Sequence, residues 1–255
     1  MVPIMNSETE DQAKSWRPYL ARYRNGEWRA SVWRDMILAD ARRLEALNGR
    51  PRVLDIGCGG GFDNDKNLQR SLAEHSLEYI GVEPDANVRL GDYFSSKYQC
   101  TFEQAPISAD SIDIAFSVMV FEHFENPQLV WDKIHGILKK GGVFWAFTVD
   151  SRHWFVHASI MMDMLHLKDF YLNKLHGRRG DGRYENYKVF YRSNRPEQIE
   201  KMTHAFSSRL ILNFYRVGQT NYYFPKKLRF VAKAYDRMAI RMGMPGSILA
   251  VRVEK

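Results

Sequence analysis

At 255 residues, with 45% apolar and 13% aromatic side chains, the chain can bury one large core or two small ones and is not a disordered polymer. Two cysteines, Cys58 and Cys100, exclude a disulfide framework, and no Cys/His cluster has zinc-ligand spacing. The net charge of +7 divides unevenly: residues 1–150 hold 17 Lys+Arg against 22 Asp+Glu, whereas residues 151–255 hold 20 against 8. So basic a second part attracts anions over long range without specifying which.

The first helix legible in the pattern runs from about Trp33 to Leu47, with Trp33, Ile37, Ala41, Leu44 and Leu47 on one stripe. Asn48-Gly49 stops it. Strand-like runs follow at 52–56, 79–82, 112–117, 142–149, 209–217 and 248–253. Between the early ones lies a helix with Pro127 in its first turn, a stripe of Leu129, Ile134 and Leu138, and Lys139-Lys140-Gly141 at its end. The strand–helix alternation over residues 50–150 predicts parallel βαβ units. After Asp150 the rhythm breaks. Asn194 then reads as a helix N-cap before Pro196 and Glu197, and an amphipathic helix is expected near 226–242.

The most specific local signal is Val53-Leu54-Asp55-Ile56-Gly57-Cys58-Gly59-Gly60-Gly61. A strand running into alternating glycines lets a ligand approach the backbone, and the helix that follows should point free N–H groups at the same place. A second strand delivers Glu83 at its carboxyl end, in Gly81-Val82-Glu83-Pro84-Asp85, where a carboxylate can accept from both ribose hydroxyls of a nucleoside. A dinucleotide fingerprint would need glycine where Phe62 stands, and a phosphate loop would need G-K-[ST]. Asp55 beside the turn repels a pyrophosphate and suits a cationic ligand.

With Ala105-Pro106-Ile107-Ser108-Ala109-Asp110-Ser111-Ile112-Asp113, Ser117-Val118-Met119-Val120-Phe121-Glu122-His123 and Leu138-Lys139-Lys140-Gly141-Gly142, these motifs follow one another in an order that resembles the class I S-adenosylmethionine-dependent methyltransferases of small-molecule type. The resemblance implies S-adenosyl-L-methionine as cofactor. Asp55 and the backbone of Gly57, Cys58, Gly59 and Gly61 would face its methionine part, Glu83 its ribose and Pro84 its adenine. Thr101, Glu103, Gln104 and Ala105 stand where the family meets the adenine amino group, although an acid is usual at the position of Thr101. Ser117, Val118 and His123 would flank the reactive end, with His123 as candidate base or as a packing contact. Relatives that bind a divalent ion carry E-x-x-E-H here, but Met119 replaces the first acid, so no metal is expected.

The resemblance also implies a seven-stranded, mostly parallel α/β sheet with an antiparallel last pair and an inserted helical cap. The expected division is 1–48 (N-terminal helical segment), 49–150 (cofactor-binding core), 151–208 (substrate-specificity insertion) and 209–255 (final strands with the amphipathic helix). The insertion mixes Trp154, Phe155, Met161, Met162, Met164, Phe170 and Tyr171 with Arg178, Arg179, Arg183, Tyr184, Tyr187, Tyr191 and Arg192. His153, Tyr191 and Arg192 are the candidate substrate contacts, able to stack on a ring and clamp an anion.

The leading reading is methyl transfer to a small-molecule acceptor, a hydroxyl of a sugar, glycolipid or other anionic intermediate. An RNA-modifying enzyme and a non-catalytic cofactor-binding scaffold are the alternatives. Leu228, Val231, Tyr235, Met238 and Met242 form the apolar face of the 226–242 helix, beside Arg229, Lys233, Arg237 and Arg241, so it either packs on the sheet or meets an anionic membrane. Neither a signal peptide nor a run approaching the ~20 apolar residues of a spanning helix is evident, so a cytoplasmic protein is expected.

Overall fold

The computed structural model describes residues 7–165, 188–221 and 224–255. Two helices open it, α1 (Ser7–Arg24) and α2 (Arg29–Asn48). α2 starts four residues earlier than the apolar stripe suggested, because Trp28 in extended conformation ends the preceding turn and Ala30 and Val32 are also buried. Gly49, at φ 82°, closes it by donating its N–H to Glu45 O.

The alternating part follows: β1 (Arg52–Ile56), α3 (Lys66–Glu74), β2 (Glu78–Val82), β3 (Ser96–Tyr98), β4 (Ile112–Val118), α4 (Pro127–Ile137) and β5 (Leu138–Val149). In α4 the buried stripe is Val130, Trp131, Ile134 and Ile137, while Leu129 is 57% exposed. The expected Lys-Lys-Gly helix end belongs to β5 instead. That strand begins at Leu138, pairs there with Ile112, and passes an irregularity before Ile114 pairs with Val143. β3 is only three residues long, too short for its period to show in the sequence.

The chain continues through α5 (Trp154–Met164), α6 (Pro196–Met202), β6 (Ser208–Phe214), α7 (Arg229–Arg241) and β7 (Ile248–Glu254). The residue capping α6 is Arg195, not Asn194. Asn194 is buried and gives its side-chain amide to Thr148 Oγ1 and Val149 O, at 2.8 and 3.1 Å. Phe170, Tyr171, Arg178, Arg179, Arg183, Tyr184 and Tyr187 lie outside the described residues.

Seven strands, among the described residues, make one sheet in the order β3-β2-β1-β4-β5-β7-β6. The first five run parallel, and β7 is antiparallel to both β5 and β6. Central strands buried on both faces read as near-continuous apolar runs, as β1 and β4 do. On one face Trp33, Met36 and Ile37 of α2 pack with Val53, Phe116, Trp145 and Phe214. On the other, Trp131 and Ile134 of α4 and Ile199 of α6 pack with Leu54, Ala115, Phe144 and Val251. A buried ion pair fixes α2 to the sheet: Arg252 donates to both oxygens of Asp40 at 2.9 Å, and Trp145 Nε1 donates to the same carboxylate at 2.8 Å.

Candidate active site

β1 and β4 are adjacent, and the sheet grows outward from them in opposite directions. Their carboxyl ends therefore form the switch point at which open α/β sheets bind ligands. The glycine turn leaves β1 there. It is anchored by the amides of Gly57 and Cys58, which donate to Val82 O at 2.8 and 3.2 Å. Gly57 has φ 75°, and a Cβ on it would collide with Val120 Cγ2. A side chain at Gly59 would lie 2.6 Å from Glu83 Oε2. Both positions need glycine, one for its dihedral and both for space.

Glu83 is 7% exposed, and its carboxylate is held by two backbone amides. Gly59 N–H donates to Oε2 at 2.8 Å and Asp85 N–H to Oε1 at 3.0 Å. Pro84 beside it is exposed, Gly61 turns the chain at φ 93°, and burial pushes the Cys58 thiol up, which leaves it an uncharged filler. The N-terminus of α3 is not open as the sequence suggested. Asp65 Oδ1 accepts from Asn67 N and Leu68 N, satisfying the amides that a ligand would have met.

Asp55 is buried, and its Oδ2 accepts from Tyr79 Oη at 2.8 Å and Gln69 Nε2 at 2.7 Å. Burial pushes its pKa up to about 7 against the lowering effect of those two donors, and the charge of Glu83 adds to the rise.

Beyond β3, Thr101, Glu103 and Gln104 are exposed and Ala105 is buried, in a turn whose carbonyls at Glu103 and Ala105 accept from Lys133 Nζ. At the end of β4, Ser117 is fully buried with no protein partner for its hydroxyl, and Val118 is half-buried. Met119 follows in the left-handed region at φ 56° and leads into a 3-10 turn, Phe121–His123. His123 Nδ1 lies 2.9 Å from Lys188 O, and a carbonyl only accepts, so Nδ1 carries the proton.

Glu122 is buried with its pKa raised by burial; its Oε2 accepts from Thr148 Oγ1 at 2.9 Å. Its backbone carbonyl accepts from Phe190 N and Tyr191 N. Arg192 donates to Glu125 O at 2.6 Å and stacks over Phe190. Residues 188–192 are thus strapped to the turn after β4, which brings Tyr191 onto Glu122 and Arg192 onto Glu125 of the segment that holds His123. His153 sits apart and is 4% exposed. Its Nδ1 accepts from Phe155 N at the start of α5, Nε2 faces the Gln219 amide, and burial lowers its pKa to about 4.

Residues 54–146 match the family described as "Methyltransferase domain". The chain carries a class I S-adenosylmethionine-dependent methyltransferase domain. The ubiquinone biosynthesis O-methyltransferase of Nitrobacter winogradskyi is 32% identical over 122 residues, which are 45% of this chain and 44% of that protein. The chain therefore spans less than half of that relative. An S-adenosylmethionine-dependent methyltransferase structure from Archaeoglobus fulgidus matches 87% of this chain and 94% of its own at 15% identity and TM-score 0.53. One from Thermotoga maritima, described as a possible histamine N-methyltransferase, matches 96% and 95% at 14% identity and TM-score 0.51. Both show the fold.

The cofactor of a methyltransferase domain is S-adenosyl-L-methionine, and the residues present fit it. The turn keeps Cβ-free space against Glu83, and that carboxylate stands at the switch point. Several contacts around the candidate site gave no signal in the sequence. Gln69 and Tyr79 hold Asp55 from 14 and 24 residues away. Arg29 of α2 donates twice to Asp63, just past the glycines, at 2.7 Å. Thr148 and Asn194 support Glu122 in series. These contacts obey no spacing rule, because they join elements that meet only in the folded sheet.

Proposed function

We propose that the protein binds S-adenosyl-L-methionine and transfers its methyl group to a hydroxyl of a small-molecule acceptor. The observation that carries the reading is the Glu83 carboxylate held against the Gly59 amide at the carboxyl end of the sheet. When bound, the cofactor supplies an electrophilic methyl group. Asp55, the Gly57–Gly61 backbone, Glu83 and Pro84 would hold it, with Thr101–Ala105, Ser117 and Val118 around the adenine and the reactive end.

His123 is the proposed base. With Nδ1 donating to Lys188 O, Nε2 is the ring nitrogen that would take the hydroxyl proton. Tyr191 and Arg192 lie on the strap that holds the His123 turn and are the proposed acceptor contacts; His153, the third candidate, is buried against Phe155 N and Gln219 instead. For the acceptor class, the name of the Nitrobacter relative supports O-methylation of a small molecule, and the basic second part favours an anionic one: a sugar, a glycolipid or another natural-product intermediate.

Calorimetric titration with S-adenosyl-L-methionine and S-adenosylhomocysteine tests the reading. Micromolar binding is expected in the wild type. Glu83→Ala should weaken it by a factor of about 10 to about 150, the worth of a hydrogen bond to a charged group. In a methyl-transfer assay His123→Ala is expected to lose about 10²–10⁴ in turnover with cofactor binding retained. Unchanged affinity in Glu83→Ala would remove the ribose assignment; lost cofactor affinity in His123→Ala would make that residue a packing contact.

A further inference from the structure

α7 turns the wrong residues inward for an ordinary surface helix. Its buried positions are Ala232, Asp236 and Ala239. Its large apolar side chains face out: Phe230 is 70% exposed, Val231 50%, Met238 49% and Met242, just past its end, 68%. Phe230, Ala234, Met238 and Met242 are four apart and form one row along the helix. Arg229, Lys233, Arg237 and Arg241 form the next, and Lys226 and Lys227 precede it. The single acid of the helix, Asp236, is buried and accepts from Gly218 N at 2.6 Å, so no carboxylate of the helix breaks the positive field outside.

The helix also has a place. β7 begins opposite the end of β5, with Ile248 paired to Val149 and to Phe214. The β6–β7 connection that holds α7 therefore leaves and re-enters the sheet at the end where the glycine turn lies.

We propose that α7 is an interfacial helix that docks the site end of the molecule onto an anionic lipid bilayer. A row of large apolar groups beside a row of cations is what a helix lying in the headgroup plane needs: the first enters the acyl boundary and the second meets lipid phosphates. Charge selects this occupant. A second copy brought against the same face would set one cationic row against another. A nucleic-acid backbone would satisfy the cations but leave Phe230, Val231, Met238 and Met242 without apolar partners. The proposal stands independently of the methyl-transfer reading.

The test is co-sedimentation of the full chain with vesicles of phosphatidylcholine alone and of phosphatidylcholine mixed with phosphatidylglycerol. Binding to the mixed vesicles at low salt, with release as ionic strength rises, is expected, and little binding to the neutral ones. The double variant Phe230→Ser/Met238→Ser should bind about tenfold more weakly. Arg237→Glu/Arg241→Glu should fall by more than about tenfold, since each cation near such a surface is worth roughly fivefold. All four residues are exposed, and an unchanged thermal midpoint in each variant would show the fold intact. Absence of binding to the anionic vesicles overturns the proposal, as does binding that both variants retain. So does a dimer in light scattering that Phe230→Ser/Met238→Ser dissociates, or short single-stranded RNA that displaces the vesicles and binds that variant equally well.

Discussion

Asp55 and His153 are both buried ionisable groups, and they tilt stability in opposite directions with pH. Asp55 holds its proton more tightly in the folded chain than an ordinary carboxyl does. Its contribution to stability is complete below about pH 4 and is lost as pH rises through about 7. His153 is kept neutral by burial, so its contribution is present above about pH 6.5 and is lost as pH falls through about 4. A tenfold difference in proton affinity between the folded and unfolded chain is worth about 1.4 kcal/mol, which makes both effects a few kcal/mol at most. Urea unfolding from about pH 4 to about pH 8 should show Asp55→Asn losing less stability on the alkaline side. His153→Asn, which keeps a side-chain acceptor for Phe155 N, should lose less on the acid side. Curves parallel to the wild type would mean that neither group titrates as its burial implies. Asp55 was legible from the sequence because it precedes the glycines; its burial was not, since Tyr79 and Gln69 close over it only in the fold.

Among the elements, α2 is held to the sheet by more than its apolar face. Asp40 lies under Trp145 and Arg252, and Arg252 also donates to Glu254 at 3.0 Å. A buried pair gains little over a well-packed apolar one, but losing one partner strands the other charge. Asp40→Ala is expected to cost about 3–5 kcal/mol in urea unfolding, and Asp40→Leu combined with Arg252→Met far less. Equal costs would mean that Arg252 finds solvent when its partner goes. The 226–242 helix shows why periodicity stops short of burial. Its apolar residues were found by spacing, yet the core contact was taken by Ala232 and Ala239. Small side chains let the helix axis approach, and amphipathic spacing identifies an apolar face without saying which face meets protein.

For the whole molecule, the order of strands sets the order of stability. β4 and β5 lie inside the sheet, paired on both sides, whereas β3 is a three-residue edge that pairs, among the described residues, only with β2. Native-state hydrogen exchange should therefore be slowest in Ala115–Phe116 and Phe144–Phe147 and fastest, among the strands, in Ser96–Tyr98. Uniform protection across the sheet would contradict that gradient. The division of charge belongs to this scale too, because α7, with its row of cations, sits in the connection at the site end.

What the amino-acid order determined by itself was whatever short-range chemistry imposes. It set the glycine turn after an apolar run, the acid at the tip of the second strand, the strand–helix alternation and the excess of cations after Asp150. Each follows from dihedral freedom, side-chain period or counted charge within a few residues. Only the tertiary structure decided which of those residues meet. Glu83 closing on the Gly59 amide, the strap at 188–192 lying on the turn of His123, and the outward face of α7 all depend on sheet order and packing. Those join residues far apart in the chain, and no local pattern encodes a distance between them.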